Sequence, residues 1–235
     1  MRPMDVRPLI RGVILLLALL AWNPLRAESL APQPFTATYS ASYRGIEAGN
    51  LMFSLEYNEA TGRYVYETTA DPSFLARLVV SRAAVERSEM LIDEHGVRPL
   101  EWRFEDGNAR DQKDGALTFD WQNGRVSGTI EREKIELPTE PGLQDRLSIQ
   151  IYVTTALLRG SEPGRIPMID DNRIKHYAYT QKGTATIDTA LGQMDTVIYE
   201  STREGSSRVA RFWMAPKLQY LPVRAEQERK GKVET

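Results

Sequence analysis

Cysteine is absent from all 235 residues. Disulfides, thiolate nucleophiles, cysteine-ligated metals and a lipid-modified N-terminal cysteine are therefore excluded, and the fold must hold by its core alone. Histidine is nearly absent too, with only His95 and His176. His95 stands in the turn Asp93-Glu94-His95-Gly96 and His176 at the start of a strand-like segment, with no further ligands at metal spacing, so no metal site is expected. No G-x-S-x-G and no glycine-rich phosphate loop occurs, which removes the usual signatures of serine hydrolysis and nucleotide binding. Carboxylates are plentiful, yet no pair stands out from the rest for acid–base work. No catalytic residue and no cofactor is assigned, and a carboxylate-dependent glycan hydrolase or lyase is the reading with least motif support.

Long apolar runs are also missing. The longest, residues 13–22, has ten residues where a spanning helix needs about 20. It follows Arg2, Arg7 and Arg11 and precedes Leu25-Arg26-Ala27, the basic, apolar and small-residue order of a signal peptide over residues 1–27. Its removal takes four of the 30 basic and one of the 32 acidic residues, leaving 26 against 31 and a net charge of −5. A mildly acidic domain with no long basic run is not built for nucleic acid. The expected product is exported, soluble in the periplasm and without a transmembrane segment after cleavage.

What remains, residues 28–228, reads as one β-rich domain, with 229–235 a polar tail expected to fray. The composition of the whole chain, 41% hydrophobic and 26% charged, is that of a globular protein. Residues 35–43 alternate Phe35, Ala37, Tyr39, Ala41 and Tyr43 against Thr and Ser, the period of a half-buried strand. Segments 51–57, 63–69, 83–92, 98–105, 116–121 and 125–130 continue in the same way, punctuated by turns of which Asn123-Gly124 is the sharpest. Residues 74–80 fit a short helix or a strand. After residue 160 come strand candidates at 175–180, 184–189, 196–202, 208–214 and 218–227.

One segment departs from this pattern. Residues 143–159 predict a helix with Asp145 as N-cap, Arg159 in the last turn and Gly160 at the left-handed position beyond it. Ile149, Tyr152, Val153, Ala156 and Leu157 share one face, and Leu147, Ile151 and Leu158 the opposite one, so the helix should be buried on both sides. The expected fold is mainly β: a curved antiparallel sheet, barrel or half-barrel, of about a dozen short strands wrapped round or capped by one long buried helix. A two-sheet sandwich with the helix over an open end is the alternative.

Aromatic residues sit almost entirely on these strands and the helix. They serve a core and cross-strand pairs. Part of the same lining can face an apolar cavity, for which Tyr39, Phe53, Trp102, Phe104, Tyr152, Trp213 and Met214 are the candidate residues.

Four stretches carry a family resemblance: Tyr43-Arg44-Gly45-Ile46-Glu47-Ala48-Gly49, Gln144-Asp145-Arg146-Leu147-Ser148, Leu191-Gly192-Gln193-Met194, and Phe212-Trp213-Met214-Ala215-Pro216 leading to Leu221-Pro222-Val223-Arg224. Together they resemble an exported bacterial family known only as domain of unknown function 3108, in which no catalytic residues are assigned. The closing stretch more distantly resembles the W-x-x-P…L-P-V ending of lipoprotein carriers and related periplasmic half-barrels, although Ala215 stands where those commonly have Asp. That resemblance implies acyl-chain binding by analogy. The expected function is a non-enzymatic periplasmic protein that binds a lipid-like, hydrophobic or amphipathic envelope component. An envelope interaction or scaffolding module with a protein partner is the alternative.

Overall fold

The structure, a computed structural model, describes residues 31–73, 84–107 and 113–235. The expected signal peptide and the stretch 74–80 lie outside the described residues. The first half forms β1 (Phe35–Tyr43), β2 (Ile46–Asn58), β3 (Arg63–Pro72), β4 (Val85–Asp93), β5 (Gly96–Glu105), β6 (Gly115–Asp120), β7 (Arg125–Ile130) and β8 (Glu133–Pro138). These eight make one antiparallel sheet, sheet A, in which every strand pairs with its neighbour in sequence. The helix α1 (Ser148–Leu158) follows. Then come β9 (Gly164–Asp170), β10 (Arg173–Thr189), β11 (Gly192–Thr202), β12 (Arg208–Ala215), β13 (Leu221–Arg229) and β14 (Lys232–Val233), the six strands of sheet B, again in sequential order.

The mainly β class holds, but its details differ from expectation. Fourteen strands are present among the described residues, not a dozen short ones, and they form two sheets that do not close into a barrel. The separate candidates at 175–180 and 184–189 are one 17-residue strand, β10. An irregularity between Gln181 and Gly183 bends it without ending it. The polar tail does not fray, because β14 pairs Val233 with Glu228 and Lys232 with Arg229 on β13.

Local sequence explains most of the meander. On β1, Phe35, Ala37 and Tyr39 are half-buried while Thr36, Thr38 and Ser40 are exposed. The loop between β6 and β7 closes as Asp120 accepts the Asn123 backbone N–H at 3.0 Å. Gly128 on β7 is required by space as well as backbone: a Cβ there would lie 2.0 Å from the Ala116 carbonyl oxygen.

The helix lies between the sheets. Its Ile151, with Leu143 and Leu147 just ahead of it, joins the core of sheet A, around Leu55, Tyr66, Met90, Trp102 and Val126. Its Ile149, Val153 and Leu157 join the core of sheet B, around Ile166, Met168, Tyr199 and Met214. This is the two-sided burial that the spacing predicts. The helix is shorter than the predicted 143–159, at 11 residues. Residues 143–145 cannot be helical because Gln144 pairs with β9: its N–H donates to the Pro167 carbonyl and its carbonyl accepts from Ile169, both at 2.9 Å. Among the described residues no helix is long and apolar enough to cross a membrane.

Both helix ends are chemically closed. Leu147, next to the first helical residue, makes no side-chain cap, and the capping lies one turn earlier. Asp145 Oδ1 accepts the N–H groups of Leu147 and Ser148 at 2.8 and 2.7 Å, and Ser148 Oγ accepts the Asp145 N–H at 3.0 Å, a reciprocal capping box. At the other end Gly160 takes φ 68°, with Ser161 N–H on the Ala156 carbonyl and Gly160 N–H on that of Leu157.

Candidate functional site

The five residues Gln144 to Ser148 knit one junction of the two sheets. Gln144 is fully buried, and its side-chain amide donates to the Val97 carbonyl on β5 at 2.9 Å while its backbone serves β9. Asp145, 1% exposed, takes a 2.7 Å hydrogen bond from Ser88 on β4, and burial raises its pKa to about 6. Arg146 stacks over Trp102 and Phe104, with ring centroids 4.8 and 5.0 Å away. Its Nε is 3.4 Å from Glu86, which also accepts the Trp102 indole N–H at 2.8 Å. Side chains from β4 and β5 and the backbone of β9 thus meet at the start of the helix.

The opposite junction is different. Here β1 is the free edge of sheet A, and the outer side of β13 is bordered only by the two-residue β14 near its far end. The two strands pair nowhere. The Tyr39 hydroxyl donates to the Pro222 carbonyl at 2.7 Å, and beyond the strand end Arg44 donates to the Glu234 carbonyl and pairs with the Glu234 carboxylate. Burial pushes the Tyr39 pKa up to about 12, so its proton stays in the bond.

A groove of about 560 Å³ runs along this open seam, walled by β1 on one side and by Lys217 to Val223 on the other, with Thr154 of the helix on its floor. Such a volume falls in the range of small-molecule sites. Beneath it Phe35, Thr154, Leu221 and Pro222 also line a second, apolar cavity that reaches Tyr66, Ile151, Val153, Tyr179, Phe212 and Met214. That inner cavity holds only about 30 Å³, roughly the share of one water. Apart from tyrosine hydroxyls, Lys217 is the only ionisable side chain on the groove wall among the described residues. Chemically the site can bind an apolar body; it has no acid–base pair to offer.

The candidate cavity residues divide. Tyr39 lines the groove and Met214 the inner cavity. Phe53 stands behind them, edge-on to Tyr39 and stacked on Tyr66 at centroid distances of 5.4 and 6.0 Å. Tyr152 packs between the two cores. Trp102 and Phe104 lie under Arg146 at the other junction. Trp213 lies on the outer face of sheet B, with Arg224 and Arg211 at 4.8 and 6.0 Å from its ring. Phe35, Leu221 and Pro222, which join groove to cavity, are not among the candidates. Leu221 and Pro222 do stand in the closing stretch that carries the family resemblance. Among the described residues no three or more His, Asp or Glu gather to hold a metal.

The model of the family described as "Protein of unknown function (DUF3108)" matches residues 38–231. No curated protein matches the chain. Among solved structures it is similar to the crystal structure of a beta-barrel-like protein of domain of unknown function DUF1849 from Brucella abortus. The two share 10% identity and a TM-score of 0.52 over 86% of this chain and 94% of that one. At such identity the likeness bears on the fold alone.

Proposed function

Because the chain belongs to the DUF3108 family, whose description assigns no activity, we propose from its geometry that it is a non-enzymatic envelope protein that binds an amphipathic, lipid-like ligand in the groove between β1 and β13. The observation that carries the reading is the continuity of the 560 Å³ groove with an apolar cavity at a seam where the two edge strands do not pair. Export through the N-terminal signal places it in the periplasm, where lipid-like components need a protein to shield their chains. The distant resemblance of its closing strands to lipoprotein carriers runs the same way. The ligand's apolar part lies against Phe35, Leu221 and Pro222, and the seam parts to admit it.

Native mass spectrometry of the mature protein from its own host, followed by organic extraction, should find a bound lipid. Delipidated protein should take up a fluorescent fatty-acid probe saturably. Ala37→Arg, which sets a charge in the groove wall, should abolish uptake while the circular dichroism stays unchanged. A bare mass together with no saturable uptake would end this reading. The unpaired edge of β1 and the open part of the β13 edge favour a second one, an interaction module that receives a partner's extended strand. In-cell cross-linking from Thr38 to a protein, with a bare mass, would select it.

A further inference from the structure

The helix-bearing face of sheet B continues past the apolar cavity into a polar one of about 360 Å³. The step between them is two residues along each strand. Tyr179 on β10 and Phe212 on β12 line the apolar cavity, while Tyr177 and Ala210 line the polar one. Same-face neighbours on a strand are about 7 Å apart, so the cavities adjoin. Ser201, opposite Tyr179 on β11 and hydrogen-bonded to it, stands on the polar side of the boundary.

The polar cavity has a surplus of cations. Lys175 is committed, lying 2.7 Å from Asp170 and 2.9 Å from Asp171, and the Tyr177 hydroxyl donates to Asp170 at 2.8 Å. These bonds hold the Asp170 pKa below the usual carboxylate range although burial alone would raise it. Arg203 and Arg208 also line the cavity, and among the described residues neither has a carboxylate within ion-pairing distance. The turn between them is folded back on itself: Ser206 donates its N–H to the Arg203 carbonyl, and its Oγ accepts the Arg208 N–H at 3.1 Å. Both arginines therefore border one cavity.

We propose that this cavity is an anion site, taking the carboxylate or phosphate head of the amphipath whose chain lies in the seam groove. The assignment rests on the reading above. Guanidinium forks match planar or tetrahedral oxyanions bidentately, and here two arginines border one cavity, neither in a direct ion pair, although the charge of Arg203 reaches Asp170. The head sits between Arg203 and Arg208, and the chain runs past Tyr179 and Phe212 toward Leu221, a path whose 30 Å³ cavity has to widen as the seam parts.

The test compares decyl phosphate, decanol and inorganic phosphate on the delipidated full domain and on the Arg203→Gln/Arg208→Gln double variant, with Arg203→Lys as a milder change that keeps the charge. Decyl phosphate should bind at least about ten-fold more tightly than decanol, the affinity equivalent of a charge-assisted hydrogen bond. The double variant should erase that preference and leave decanol affinity unchanged, and the lysine variant should fall between. Equal affinity for the two alkyl probes in the wild type, or a preference that survives in the double variant, overturns the anion site and leaves the groove standing. If neither alkyl probe binds but inorganic phosphate does, and the double variant loses it, the site serves a free anion and the groove reading is the one that fails. Binding of none of the three overturns both.

Discussion

Where β8 hands over to β9, the two sheets are joined by the chain itself, by backbone hydrogen bonds from Gln144 and by a helix packed on both sides; where β1 faces β13, a tyrosine hydroxyl and a terminal ion pair span the gap. The first junction buries polar groups that have no other partner, so opening it exposes them and the cores together. The second can part at the expense of a few part-buried or exposed bonds. Regions with few buried contacts open locally at far lower free energy than the whole domain. The groove of about 560 Å³ lies at such an edge.

Changes at the first junction should be the costliest. Ile151→Asp sets an unpaired charge between the cores and should remove several kcal/mol from a total on the order of 5–15 kcal/mol, leaving the domain unfolded or nearly so by circular dichroism. Wild-type melting of that variant would mean that the helix is not the wall between the sheets. Gln144→Ala strands the buried Val97 carbonyl, and urea titration should show a loss of about 1–3 kcal/mol.

The same junction predicts a pH dependence. Burial lifts the Asp145 carboxyl to about 6 when folded, against 3.8 as its ordinary value, so the folded state holds the extra proton between those limits. Stability from this group therefore rises as pH falls from about 6 toward 4, and is lost as pH rises back through 6. The bond with Ser88 survives protonation, since the hydroxyl can accept as well as donate. Asp145→Asn, which keeps an acceptor for the cap, should flatten that part of the stability curve. Parallel curves for the two proteins would place the carboxylate in water. The smallest global effect belongs to the open seam. Tyr39→Phe should cost no more than about 1 kcal/mol, yet amide exchange near Tyr39 and Pro222 should quicken while α1 stays protected.

Much of the architecture was legible in the sequence because its causes are local. The two apolar faces of the helix, Gly160 at its end and the Asn123-Gly124 turn each depend on residues a few positions apart. The helix start was not legible, since Gln144 is held in extended pairing by β9, more than 20 residues away. The length of β10 was hidden for a related reason: a bulge looks like a turn when only composition is seen. The tail looked ready to fray because Glu234 finds Arg44 190 residues earlier. The candidate site was legible only in part. Tyr39 and Met214 face the groove and its cavity, but nothing in an aromatic alternation says that Trp102, Phe104 and Trp213 will be roofed by arginines. Leu221 and Pro222 stood in a quoted stretch without a signal that they form a wall.

The strictly sequential order of both sheets bears on how the molecule comes to exist. Each hairpin closes a short loop, so little chain entropy is lost at each step, and such low contact order favours rapid assembly. A chain that emerges N-terminus first can complete sheet A before sheet B is available. The bond from Tyr39 to Pro222 spans 183 residues and must wait for nearly the whole chain. The groove is thus the last part of the protein to be made, and until then the free edge of the first β-strand has nothing facing it, which is the interval in which a chaperone or a stray strand would find it.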